Sequence, residues 1–127
     1  MIKPIVTEKA PPAIGPYSQA VETDTLIFVS GQLPINPATG CFASAEIKGQ
    51  TQQSVENVRQ VLQARGLDLD RVVKTTVFLS DMKNFTSMNE VYRKLFAQEP
   101  APARSAVEVS RLPKDALVEI EAIATKN

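Results

Sequence analysis

The strongest constraint on the fold lies in the last quarter of the chain, where two stretches alternate apolar and polar residues with period two. In Val118-Glu119-Ile120-Glu121-Ala122-Ile123-Ala124, residues Val118, Ile120, Ala122 and Ala124 share one face of a strand, and Glu119, Glu121 and Ile123 the other. Upstream, after Pro102, residues Ala103, Ser105, Val107 and Val109 oppose Arg104, Ala106 and Glu108. Between the two stretches, Ser110 to Asp115 carries a proline and an aspartate, which suits a connection. The expected unit is an antiparallel hairpin with one apolar and one charged face. It would gather Arg104, Glu108, Glu119 and Glu121 on one side of the sheet, where chemistry could sit.

The earlier chain supplies what covers the apolar side. Pro11-Pro12-Ala13-Ile14-Gly15-Pro16 is a stiff, irregular arm. Tyr17 to Val21 is a candidate short strand, with Tyr17 itself open to a packing role. Leu26 to Val29 has the continuous apolar character of a buried strand and ends at Ser30-Gly31-Gln32, where the glycine marks either a bulge or a close approach to a ligand or another chain. Asn36 to Gly40 is a turn cluster. From Ile47 to Arg65 the spacing becomes helical, with Val55, Val58 and Leu62 on one stripe and Gly66 as a left-handed cap. Arg71 to Leu79 is a β-branched run that suits a central strand. Phe85, Met88, Val91, Tyr92, Leu95 and Phe96 form the packing stripe of a second helix, with Asn84 as its expected N-cap and Pro100 and Pro102 beyond it. Two helices can then lie over one face of a mixed sheet, an α+β arrangement. The opposite face is left without cover. Either it is solvated or a ring of two or three copies buries it.

Composition narrows the chemistry. A chain of 127 residues with 43% hydrophobic content is expected to form one domain over residues 1–127. Fourteen basic and fourteen acidic residues cancel, so charge gives no drive toward nucleic acid or an anionic membrane. No apolar run approaches the length of a membrane span or a signal-peptide core, which points to the cytoplasm. A single cysteine, Cys41, excludes an internal disulfide, and the chain has no histidine. Histidine-dependent triads, Cys-His catalysis and ordinary zinc sites are therefore excluded.

Several of these segments, in this order, carry a resemblance. Ile14-Gly15-Pro16-Tyr17-Ser18-Gln19, Ser30-Gly31-Gln32-Leu33-Pro34, Lys74 to Leu79, Asn89-Glu90-Val91-Tyr92, Pro102-Ala103-Arg104-Ser105 and Arg111 to Ala124 resemble the RidA (YjgF/YER057c/UK114) family across nearly the whole chain. The resemblance implies a chorismate-mutase-like α+β fold and a homotrimer with clefts between subunits. It also implies cofactor-independent and metal-independent hydrolysis of 2-imino acids, and of their enamine tautomers, to 2-oxo acids and ammonia. Such imines are released by pyridoxal-phosphate-dependent serine and threonine dehydratases. By the same resemblance Arg104 binds the substrate carboxylate and Glu119 positions the attacking water, while Tyr17, Ser30, Gly31 and Asn89 surround the pocket. Ala106 stands where the family usually has cysteine, and Cys41, in a different turn, does not replace it.

Read from residue types alone, Arg104 could equally pair with Glu108 or Glu121, and Glu119 could be an ordinary surface acid. The chemistry nevertheless suits the inventory, because an imine carbon is electrophilic enough for a carboxylate-positioned water, and a guanidinium matches a carboxylate bidentately. Two other functions stay open. One is a regulatory trimer that binds an oxo acid or amino acid without turnover. The other is RNA cleavage or translation inhibition, which the neutral charge and the lack of histidine or a basic aromatic cluster disfavour.

Overall fold

The computed structural model describes residues 1–127. Six strands form one mixed sheet in the order β1-β2-β3-β8-β6-β7: β1 Lys3–Ile5, β2 Ala20–Glu22, β3 Leu26–Gln32, β6 Val72–Leu79, β7 Ala103–Glu108 and β8 Val118–Thr125. A separate two-stranded ribbon, β4 Ile35–Asn36 and β5 Cys41–Phe42, closes around the expected turn cluster. Helices α1, Ile47–Gln63, and α2, Phe85–Leu95, lie against one face of the sheet.

The period-two pattern of β8 decides which face is inside. Val118, Ile120, Ala122 and Ala124 are buried beneath the helices, together with Ile27 and Val29 of β3 and Val77 and Leu79 of β6. From above, α1 contributes Val55, Val58, Val61 and Leu62, and α2 contributes Met88 and Tyr92. Fully burying such side chains stabilises by about 1.5–3 kcal/mol each, so this seam is what holds the helices on the sheet. Gly66, at φ +73°, turns the chain out of α1 as expected. No helix is long and apolar enough to cross a membrane.

The expected hairpin does not form. β8 lies between β3 and β6, antiparallel to both, while β7 pairs parallel to β6 as the edge strand. The helix α2 is the crossover that a parallel β6–β7 pair requires. Tyr17 is not in a strand either. It sits in the bend before β2 and is 54% exposed. At the start of α2 the side chain of Asn84 makes no cap bond. Asp81 instead accepts a hydrogen bond from the Lys83 amide and opens a single 3-10 turn that runs into the helix.

The other sheet face is free of helices. Phe28 and Val107 are exposed on it, at 39% and 43%, and Glu119, Glu121 and Ile123 alternate with the buried residues of β8.

Candidate functional site

The pairing register separates the two residues singled out for chemistry. Arg104 is opposite Thr75 on β6, whereas Glu119 is opposite Phe78. Paired residues share a face, and Thr75 and Phe78 are an odd number of residues apart, so Arg104 and Glu119 point to opposite sides of the sheet. Glu108, opposite the buried Leu79, is on the helix side with Arg104. Its carboxylate accepts a hydrogen bond from the Met82 amide at 2.8 Å. The single charged face expected from the alternation is thus two half-sites. The parallel partnership of β7 with β6 is the reason, because it sets the orientation of Arg104 independently of β8.

The Arg104 half-site lies between the sheet edge and α2. Its Nη1 donates to Asn89 Oδ1 at 2.6 Å, and its guanidinium carbon lies 4.7 Å from the centroid of the Tyr92 ring and 5.6 Å from that of Phe85. The Tyr92 hydroxyl is fixed in turn by the Thr75 hydroxyl at 2.7 Å. Burial pushes the Tyr92 phenol above its usual range, against smaller opposing effects of Thr75 and Arg104, so it stays a neutral wall at physiological pH. These contacts hold one nitrogen of a planar fork and leave others to face a cavity of about 300 Å³, which Arg93 and Pro102 also line. Ala106, two residues along the same face, packs against the hydrophobic core.

The Glu119 half-site is on the open face. A side-chain carbon added to Gly31 would lie 2.9 Å from the Glu119 carboxyl carbon, so only glycine lets the backbone of β3 approach this carboxylate. A register shift between Val29 and Gln32 accompanies that approach. Of the two readings of Ser30-Gly31 the bulge is present, and the close approach is to the chain's own Glu119 rather than to a ligand or another chain. Burial, followed by the charge of Glu121, raises the Glu119 carboxyl above the ordinary glutamate range. No cation offsets that shift. Ser30 Oγ donates to the Ser18 carbonyl at 2.6 Å and ties the bulge to the Tyr17 bend. Tyr17 and Gly31 both line a cavity of about 290 Å³. Thus Tyr17, Ser30, Gly31 and Glu119 are brought together, as are Arg104 and Asn89, with Ala106 on the face of the latter pair.

Tyr92 and Phe85 were expected only as packing residues. Phe85, Asn89 and Tyr92 recur at i, i+4 and i+7, so helical spacing sets both rings beside Asn89, which the resemblance alone places near the site. Lys114, which shares the cavity of Tyr17 and Gly31, lies within the Arg111 to Ala124 segment of the resemblance but is not singled out there.

Comparison with known proteins bears on the family and the fold. Residues 7–126 match the family described as Endoribonuclease L-PSP. A RutC family protein of Pyrococcus horikoshii is 55% identical over 122 residues, spanning 96% of each chain. The protein named 2-iminobutanoate/2-iminopropanoate deaminase in Salmonella typhimurium is 48% identical over 128 residues, spanning 99% of each. Among solved structures, the YjgF gene product from E. coli superposes with a TM-score of 0.93 at 48% identity, covering 98% of this chain and 99% of that one. E. coli TdcF with bound serine gives 0.92 at 45% identity, with the same coverage. A family match over nearly the full length, joined to relatives about half identical from end to end, shows that the chain belongs to the endoribonuclease L-PSP family, the RidA/YjgF family whose motifs it carries.

Proposed function

We propose that the protein hydrolyses 2-imino acids, such as 2-iminopropanoate and 2-iminobutanoate, to 2-oxo acids and ammonia. The observation that carries this reading is the pair of half-sites: a guanidinium held by Asn89 and two aromatic rings with donors to spare, and a carboxylate without a cationic partner pressed against Gly31. The first suits a substrate carboxylate. The second suits a water and its proton. Relatives named for this activity at 48% identity support the assignment.

In the reaction, Arg104 binds the carboxylate of a protonated imine. Water adds to C2 as Glu119 takes its proton, and the C=N π electrons move to nitrogen, giving a carbinolamine. Glu119 returns the proton to that nitrogen. The C–N bond then breaks, the hydroxyl oxygen forms the carbonyl, and its proton leaves with ammonia as ammonium. A well-placed general base contributes about 10²- to 10⁴-fold.

Because Arg104 and Glu119 face opposite sides of one sheet, the complete site needs a second copy, whose edge β7 would bring Arg104 over the open face of its neighbour. A homotrimer with three such clefts is the proposed assembly, and light scattering on the purified protein tests it. Activity is tested by coupling the protein to a pyridoxal-phosphate-dependent serine or threonine dehydratase and trapping the released imine with semicarbazide. Faster loss of imine with the protein present supports turnover. An unchanged rate leaves the ligand-binding reading, which the serine bound to E. coli TdcF favours.

A further inference from the structure

The connection before β8 contains two adjacent residues, Lys114 and Asp115, at φ +57° and +58°, a left-handed conformation that side chains other than glycine, asparagine and aspartate rarely adopt. Such a conformation persists only where its surroundings over-determine it, and here they do. Leu112 and Ala116 are buried on either side, the Asp115 amide donates to the Leu112 carbonyl at 3.1 Å, and the Asp115 carboxylate takes two hydrogen bonds from Arg111 at 2.7 and 3.2 Å. The one long side chain that this frame presents, Lys114, lines the cavity of about 290 Å³ that it shares with Tyr17, Gly31, Ile14 and Leu33. Its ammonium is not among the cations that make ion pairs in the chain. Gly31 lines this cavity and also meets the Glu119 carboxyl, so the cavity adjoins the proposed reaction centre.

From this placement we propose that the cavity receives the side chain of the 2-imino acid and that Lys114 is a specificity-determining residue, admitting neutral side chains and rejecting cationic ones. The proposal rests on the imine-hydrolysis reading. Ile14, Tyr17 and Leu33 offer an apolar wall for an aliphatic or uncharged polar chain, and the volume exceeds what a methyl or ethyl group fills. A positive charge lining the same space repels a second one, which is how a site discriminates without any added attraction. The strained backbone supports the assignment because it fixes the origin of the lysine relative to Gly31.

The test uses two substrates of the same shape. Imines generated in situ by a broad-specificity L-amino acid oxidase from citrulline and from arginine differ in carrying a ureido or a guanidinium group. Wild-type protein should show a kcat/KM for the citrulline imine about fivefold or more above that for the arginine imine, and the ratio should shrink as salt is raised. Lys114→Asn, which tolerates the left-handed backbone and removes the charge, should bring the ratio close to one, while Lys114→Arg should retain it. A ratio measured on one preparation does not depend on its folded fraction. An unchanged ratio in Lys114→Asn, or a wild-type ratio of one, overturns the role of Lys114 and leaves imine hydrolysis standing. If wild-type protein hydrolyses neither imine, nor the 2-iminobutanoate released by a threonine dehydratase, the activity and this inference both fall.

Discussion

Arg104 is held by neutral partners, Asn89 Oδ1 and the faces of Tyr92 and Phe85, rather than by Glu108 or Glu121. Removing it breaks no ion pair and strands no acid. Arg104→Ala should therefore change the melting temperature little while lowering kcat/KM by roughly two to four orders of magnitude, since losing one side of a desolvated charge pair costs about 3–5 kcal/mol. Arg104→Lys should recover part of the loss, because an ammonium keeps the charge without the fork. Turnover, 2-oxobutanoate binding and melting measured on one sample check this, and normal oxo-acid binding by the alanine variant would remove the anchor role. Glu119 is the opposite case, a carboxyl that burial and Glu121 hold above its ordinary range. The folded state binds its proton more tightly than the unfolded chain, so this residue contributes stability at pH below the unfolded value and loses it as pH rises through the folded one. Glu119→Gln should accordingly melt higher than wild type near pH 7 to 8, and the difference should vanish under acid conditions where both side chains are neutral. The same variant should lose most turnover, and with it the rise of kcat/KM with pH through the Glu119 ionisation. A scan of both quantities against pH tests the two consequences together. Residue type made Arg104, Glu119 and Glu121 legible only as a charged group, and the family resemblance singled out Arg104 and Glu119. The partners that prepare Arg104 were hidden, because Tyr92 and Phe85 have the same helical spacing whether they pack a core or wall a site.

Among the elements, both helices and the long strands β3, β6, β7 and β8 were legible, and the pairing of β7 was not. Alternation assigns the faces of β7 and β8 separately, but no periodic signal says which strand lies beside which, and nine residues separate β7 from β8, which does not force a tight hairpin. β8 has a fully buried face and belongs in the interior of the sheet. β7 has no fully buried residue and serves as an edge. The three-residue strands β1 and β2 and the ribbon β4–β5 are too short to show a period at all. At this scale the entrance to α1 offers a test of packing against propensity. Gly49 is in the first turn, where alanine would ordinarily favour helix by about 1 kcal/mol. A side-chain carbon there would lie 2.4 Å from Ser44 Cβ and Oγ, however, and Ser44 is held by the Glu46 amide and, through its carbonyl, by the buried Gln50. Gly49→Ala should thus destabilise by about 1–3 kcal/mol. Denaturant melts check the sign, and a stabilised variant would mean that the Ser44 turn yields freely.

For the molecule as a whole, the sheet that separates Arg104 from Glu119 turns the location of the site into a question of assembly. The uncovered face with its alternating charges was visible in the sequence, but the opposed directions of Arg104 and Glu119 were not, because they depend on β7 running parallel to β6. If each cleft takes Arg104 from one copy and Glu119 from the next, two variants that are inactive alone can repair one another. An Arg104→Ala copy still supplies Glu119, and a Glu119→Gln copy still supplies Arg104. In a one-to-one mixture of unfolded variants refolded together, random assembly should rebuild about a quarter of the clefts with both groups intact. Turnover should recover to about that fraction of wild type. Mixing without unfolding should recover less, to the extent that assembled copies exchange slowly. If both groups acted from the same chain, every cleft in the mixture would lack one of them, and co-refolding would restore nothing. Imine hydrolysis by the refolded mixture, measured beside a mixture of either variant with itself and with light scattering to verify assembly, distinguishes a shared site from one held within a single chain.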